Sequence, residues 1–251
     1  MIFFAMLGLG TLLGLAGAGG AGLMITTLTV GFNIPIHTAL GVALASMGFS
    51  VCSGAISHIR EGNVLLKIGI PTGLAGMAGS FLGAQVSHGL PDGLLHNATG
   101  TMIMASALLL YITLFQRDRL NGFIETHASA AAGKKFYAYA ISLGLINGFL
   151  SGAFGIGATA FIQLSLMLFF GISLYHSIGT TMFVILPIAI SGGLGYIYNG
   201  HLDMNIFVQT FAGLTIGSYG GAKLTRLINK NLLRYILLAM PTIGGIIMLS
   251  H

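Results

Sequence analysis

Two clusters of glycine interrupt long apolar stretches of the chain, one at residues 17–22 and the other at residues 152–157. Glycine destabilises helices and an unpaired backbone amide is costly in lipid, so such breaks persist only where they face protein or a cavity. A helix that begins at a break has amide donors without partners and about half a positive charge at its amino end. The two breaks therefore predict an anion-binding site built from backbone dipoles.

The residues expected to contact the anion lie in the breaks and in the segments that follow them. Glycines would let the backbone approach the ligand, whereas hydroxyl and amide side chains would add hydrogen bonds. The alternative is that these glycines only permit close helix crossing, but two aligned breaks favour a site. The predicted substrate-binding residues are Gly17, Gly19, Gly20, Gly22, Thr26, Gly152, Gly155, Gly157, Thr159, Gln163, Thr180 and Thr181.

A second glycine pattern predicts helix packing instead of ligand binding. It consists of small residues repeated every fourth position, which places them on one face of a helix and lets a neighbouring helix approach closely. The pattern occurs twice, at Gly213, Gly217 and Gly221 and at Ala75, Gly79 and Gly83.

The composition identifies a protein of the lipid bilayer. Hydrophobic residues make up 55% of the chain and charged residues only 6%, against about 25% charged in a soluble domain. No Asp, Glu, Lys or Arg occurs at residues 1–59 or 136–202, and each run is far longer than the roughly 20 residues of one spanning helix. The bases lie near segment ends, without the aromatic-interleaved patch of a nucleic-acid interface, so nucleic acid is not an expected partner.

The chain contains an internal repeat. A shift of 138 positions superposes Ser53-Gly54 on Ser191-Gly192, and Gly79-Ser80 on Gly217-Ser218. The glycine breaks align at a shift of 135. This pattern divides the chain into a first transmembrane repeat at 1–116, a linker at 117–135 and a second transmembrane repeat at 136–251. Helical segments are expected at 2–16, 22–32, 38–58, 64–90 and 93–116, and at 137–151, 157–171, 176–197, 203–226 and 231–250.

Segment length and charge predict the topology. The pieces beside each break would reach only about 17–24 Å, short of the roughly 30 Å hydrocarbon core, so they read as half-helices in hairpins or as short crossings. If each broken stretch forms a hairpin that enters and leaves on one face of the membrane, all ten basic residues fall on the same side. If each broken stretch instead crosses once, the chain has eight crossings, and Lys223, Arg226, Lys230 and Arg234 lie opposite the other six. We therefore predict an all-α polytopic protein of the cell membrane with two inverted repeats. Each repeat is a glycine-broken hairpin followed by three transmembrane helices, with the linker cytoplasmic and both termini outside.

Few residues support catalysis or proton transfer. Gly48-Phe49-Ser50 superficially resembles a serine-protease context, but no partnered base is identifiable, so an enzyme is not expected. No metal site or cofactor is predicted, and no carboxylate is expected at membrane depth. Strong proton coupling would need a protonated substrate or a histidine, such as His37 or His176 at the segments after the hairpins.

Several motifs resemble the TauE/SafE family of membrane transporters, also called sulfite exporters. These are GLAGAGGAG, HTALGVALAS and SHIREGNV in the first copy, and GFLSGAFGIGA, HSIGTTMF and YIYNGHLD in the second. The resemblance implies transport of small sulfur-containing or carboxylate anions such as sulfite, sulfoacetate or related sulfonates. The first copy departs from the family pattern in two places, so the resemblance assigns its site residues less securely than those of the second copy. No proline follows its glycine motif at residues 23–26, and Val42-Ala43 stand where the second copy has Thr180-Thr181.

The sequence thus predicts a carrier that moves a small anion by alternating access. An anion channel is the nearest alternative, because the same breaks could line a pore, and an intramembrane enzyme is a more distant one. The residues do not specify the direction of flux or the coupling ion. They also leave open whether the chain forms a homo-oligomer.

Overall fold

The computed structural model describes residues 1–16, 21–115, 134–156, 158–224 and 230–251. Within these ranges the chain forms helices joined by short connections, and it contains no strand. Four helices of this part are long and apolar enough to cross a membrane. These findings confirm an all-α membrane protein. The predicted linker lies outside the described residues, except that Lys134 and Lys135 begin a helix.

The described helices follow the predicted order of segments. In the first half they are α1 (Ile2–Ala16), α2 (Ala21–Thr26), α3 (Ile36–Arg60), α4 (Leu66–His88) and α5 (Asp92–Phe115). A π-helical turn at Thr27–Gly31 continues α2. In the second half they are α6 (Lys134–Phe154), α7 (Thr159–Phe170), α8 (Leu174–Tyr198), α9 (Met204–Leu224) and α10 (Lys230–Leu249).

The arms of the second hairpin differ in length, which corrects the prediction of two short pieces. Helix α6 has 21 residues, or about 31 Å, and is long enough to span the hydrocarbon core. Helix α7 has 12 residues, or about 18 Å, and is a half-helix as expected. The prediction ended this first arm at residue 151, which is too early. The helix continues through Gly152, which packs against α4, to Phe154.

Closely packed parallel helices connect the two halves. Glycines of α6 meet the backbone of α4: a methyl group at Gly148 would contact Gly76, and one at Gly152 would contact Ser80. In the same way Gly213 and Gly217 of α9 face the backbone of α1. Small residues allow this approach because no side chain separates the two backbones. The packing role predicted for Gly79, Gly83, Gly213 and Gly217 is confirmed.

The helices have two distinct ends. At one end, the Nζ atom of Lys67 lies 5.7 Å from the ring centre of Phe136, and Phe136 packs at 5.2 Å against Phe170, so α6 begins where α7 ends. We call this the basic end. At the other end, Nδ1 of His88, the last residue of α4, lies 2.7 Å from Nε2 of His201, which precedes α9. We call this the histidine end.

The close contact between α4 and α6 gives a test of the fold. Replacing Gly148→Ala places a methyl group against the Gly76 backbone, and we expect a loss of about 1–3 kcal/mol, as for an overpacked core. Gly220→Ala in α9 is the matched control, because a methyl group there meets nothing within 4 Å. The measurement is thermal unfolding of both variants in detergent. Equal stability of the two variants would contradict this helix pairing.

Candidate functional site

The second glycine break separates α6 from α7. Helix α6 ends at Phe154, and Gly155 follows with a φ of 66°, a conformation that favours glycine. Ala158 is also left-handed, with a φ of 46°, which is costly for a residue with a side chain and is typical of functional sites. The first hydrogen bond of α7 runs from Ile162 N to Ala158 O, at 2.8 Å. The backbone N–H groups of residues 159–161 therefore come before the first hydrogen bond of α7 and have no partner within that helix.

A cavity of about 180 Å³ adjoins the amino end of α7. It lies between α5, α7, α8 and α10, and it brings together three predicted site residues, Thr159, Gln163 and Thr181. Ile156 and Ala160 also line it, so the first turn of α7 forms part of its wall. The further lining residues are Ser106, Leu110, Leu114, Leu174, Ile178, Met182, Leu237 and Pro241.

Two hydroxyl groups beside the cavity are buried without a hydrogen-bond partner among the described residues. They are the Oγ1 atoms of Thr159 and Thr181, and Thr181 is only 1% exposed. Gln163, at 9% exposure, adds an amide group. An unsatisfied buried polar group costs about 1–3 kcal/mol, which a ligand accepting these hydrogen bonds would offset.

The cavity has one polar side and one apolar side. Its polar groups belong mainly to α7 and α8, whereas α5 and α10 contribute Leu110, Leu114, Leu237 and Pro241. None of the described residues that line it is charged. The amino end of α7 supplies the positive potential at this site, because its peptide dipoles sum to about half a charge.

Other predicted site residues of the second half lie in packing contacts. A methyl group on Gly155 would meet Leu40 at 2.6 Å, so substitution there disturbs the fold as well as the turn. Gly152 packs on Ser80, and its carbonyl accepts a hydrogen bond from Tyr196 Oη at 3.0 Å. Thr180 Oγ1 accepts from Leu65 N at 3.1 Å, which ties α8 to the start of α4. Gly157 lies outside the described residues.

In the first half, the described residues of the corresponding region are packed and largely apolar. A methyl group on Gly22 would meet Ile103 at 2.9 Å. Thr26 Oγ1 lies 2.9 Å from Gly22 O and 3.0 Å from Gly244 O, so its hydroxyl is satisfied within the protein. Gly17, Gly19 and Gly20 lie outside the described residues.

The repeat alignment explains this difference between the halves. A shift of 135 places Thr159 on Met24 and Gln163 on Leu28, and a shift of 138 places Thr181 on Ala43. Met24, Leu28 and Ala43 are buried in the hydrophobic core. The anion held between two opposed breaks stays a prediction. Among the described residues, Thr159, Gln163 and Thr181 of the second half line the cavity, and the first half adds one polar side chain, Ser106, which donates to Ile103 O.

Sequence reasoning missed the contributions of α5 and α10. Ser106, Leu110, Leu237 and Pro241 line the cavity, yet each is an ordinary residue of an apolar helix. Only the three-dimensional packing of α5 and α10 beside α7 brings these residues to the site, so no local pattern marks them.

Comparison with known proteins agrees with this architecture. The model of the family described as sulfite exporter TauE/SafE matches residues 2–248. The chain belongs to this family. It is 44% identical, over 99% of both chains, to the probable membrane transporter protein YdhB of Bacillus subtilis.

More distant relatives carry similar names. The probable membrane transporter protein YunE of Bacillus subtilis is 26% identical, over 90% of this chain and 88% of its own. The probable membrane transporter protein MJ0441 of Methanocaldococcus jannaschii is 25% identical, over 96% of this chain and 90% of its own. No solved structure matches the chain. The family and these names indicate a membrane transporter, and they point away from an enzyme.

Two buried threonines allow a test of the unsatisfied hydroxyl at the cavity. Thr181→Val removes a hydroxyl without a partner, so we expect unchanged or higher stability. Thr26→Val removes hydrogen bonds to backbone carbonyls and should cost about 1 kcal/mol. Thermal unfolding in detergent compares the two variants. A loss for Thr181→Val as large as that for Thr26→Val would show that Thr181 already has a partner.

Proposed function

We propose that the protein carries a small sulfur-containing or organic anion across the cell membrane by alternating access. The observation that supports this most directly is the meeting of the α7 amino end with Thr159, Gln163 and Thr181 at one cavity. Helix amino ends bind anions without a charged side chain, because their amides point at the ligand and their dipoles favour negative charge. The threonine hydroxyls and the Gln163 amide supply further donors.

The size and polarity of the cavity favour a small amphipathic anion. Its volume of about 180 Å³ corresponds to roughly six water molecules at about 30 Å³ each. A sulfonate or carboxylate group would lie against α7 and α8, and a short carbon chain against the leucines of α5 and α10. A sulfonate or monocarboxylate with a short carbon chain therefore suits both walls. Sulfite, and sulfoacetate with its two charged groups, suit the polar wall.

Helix directions support an inverted relation between the repeats. Helix α6 runs parallel to α4, and α1 runs parallel to α9, as their successive glycine contacts indicate. Helix α4 ends beside the start of α9, where His88 meets His201. The hairpins that begin with α1 and α6 would then point in opposite directions. Inverted repeats are the usual basis of alternating access, in which the halves exchange exposure around the substrate.

The distribution of charge supports an orientation in the membrane. Arg60, Lys67, Lys135 and Arg234 lie at the ends of helices that meet at the basic end. His96 bonds to Met248 O, so the carboxyl terminus lies at the histidine end. We place the basic end and the linker in the cytoplasm and both termini outside, because basic residues accumulate on the cytoplasmic side.

Transport by purified protein in liposomes tests this proposal. We expect saturable counterflow of labelled sulfoacetate or sulfite into liposomes loaded with the same unlabelled anion. Loss of one hydrogen bond to a charged ligand costs about 1.5–3 kcal/mol, so Thr181→Val should weaken apparent affinity about 10- to 100-fold. Thr210→Val is the matched control: its hydroxyl is also buried and unpartnered among the described residues, but it lies on α9, outside the cavity lining.

Two results would contradict the proposal. The carrier hypothesis fails if folded protein moves none of sulfite, sulfonates or small carboxylates. The site assignment fails if Thr181→Val and Thr210→Val have the same apparent affinity as the wild type. Non-saturable flux without counterflow would indicate the channel alternative.

A further inference from the structure

A cluster of ionisable side chains lies at the histidine end, away from the cavity. It comprises His37 at the start of α3, His88 at the end of α4, Asp92 at the start of α5, and His201 between α8 and α9. The first three belong to the first half of the chain and His201 to the second. We call these four residues the histidine cluster. It connects the halves through titratable groups, and the anion site does not use it.

The two ring nitrogens of His37 both face oxygen acceptors. Nδ1 lies 2.9 Å from Asp92 Oδ1, and Nε2 lies 2.9 Å from the backbone carbonyl of Ser87. A carbonyl can only accept a hydrogen bond, and an ionised carboxylate likewise. Asp92 is 75% exposed at its side chain, so water stabilises its charged form. Both acceptors are satisfied at once only when both nitrogens of His37 donate, that is, in the doubly protonated ring.

The other two histidines of the cluster, His88 and His201, can form their hydrogen bond without an additional proton, so the extra proton belongs to His37. The His201 ring stacks on His37 with centroids 4.9 Å apart, and its Nε2 lies 2.7 Å from His88 Nδ1. One of these two nitrogens must donate and the other accept, so the pair bonds without a second charge. Burial lowers the pKa of His201, and His37 and His88 lower it further against the opposing effect of Asp92.

No Lys or Arg lies near the cluster among the described residues. The other titratable neighbours are bonded elsewhere: His96 to Met248 O, Asp203 to amides at the start of α9, and Tyr196 to Ser87 Oγ. His251 bonds within the carboxyl-terminal turn. Asp92 also lines an open hollow of about 380 Å³, which gives protons a route to the pair.

We propose that His37 and Asp92 form a proton-binding site whose occupancy controls how the starts of α3 and α5 are held to the end of α4, beside His201 of the second half. With the proton bound, His37 joins the starts of α3 and α5 to the end of α4 and lies beneath His201. Without it, one of the two acceptors of His37 loses its donor, and the starts of these helices are no longer held together. If the protein is the carrier proposed above, this proton is the coupling ion.

Protonation of His37 can be observed without any transport substrate. In full-length protein labelled with ¹⁵N-histidine, at about pH 7.5, where an ordinary histidine is mostly neutral, we expect one signal with both ring nitrogens protonated. It should be missing in His37→Gln and shift to a neutral form in Asp92→Asn. A neutral His37 ring in the wild type would overturn the proposal, whether or not the protein transports anions.

Transport in liposomes tests the coupling. We expect a pH gradient to stimulate net anion flux several-fold in the wild type but not in His37→Gln or Asp92→Asn. Counterflow at equal pH should stay within about two-fold of the wild type in both, because no net proton movement is needed. His96→Gln is the control at the same end and should keep the stimulation. Equal stimulation in His37→Gln, or none in the wild type despite active counterflow, would overturn the coupling.

Discussion

The lipid interior cannot form hydrogen bonds to the backbone, and this constraint shapes the rest of the structure. Each peptide group at membrane depth must find its partner in a helix or face protein or a cavity. The chain meets this requirement with long helices and closely packed glycine contacts between α4 and α6 and between α1 and α9. Between α6 and α7 the helix is interrupted, with Gly155 and Ala158 in the left-handed conformation, and a half-helix follows. The cavity adjoins this interruption.

The two halves of the chain have similar helices and different chemistry. The helix order repeats, but Thr159, Gln163 and Thr181 correspond to Met24, Leu28 and Ala43. The second half therefore presents hydroxyls to a cavity, whereas the first half fills the same region with Ile103 and satisfies Thr26 within the protein. The halves differ again at the histidine end, where His201 of the second half stacks on His37 of the first. We interpret one half as the main binding element and the other as a packed framework.

Much of the architecture follows from the sequence, because lipid restricts a long apolar chain to few structures. Charge-free runs, the internal shift and the glycine breaks predicted helical segments close to those observed, and three predicted polar residues line the cavity. Other features depend on distant contacts. Gly152 matches the break motif but packs on Ser80, and Ser106 and Pro241 reach the cavity through the placement of α5 and α10. The pairing of His37 with Asp92 joins residues 55 positions apart, which no local pattern indicates.

The central claim is that the amino end of α7 and the adjacent threonines hold an anion. An experimental density map of the protein in lipid nanodiscs with sulfoacetate tests it most directly. Our account predicts density for the ligand in the cavity, with its sulfonate group between Thr159 and Thr181. A lipid chain in that cavity, or sulfoacetate bound only elsewhere on the protein, would contradict the account.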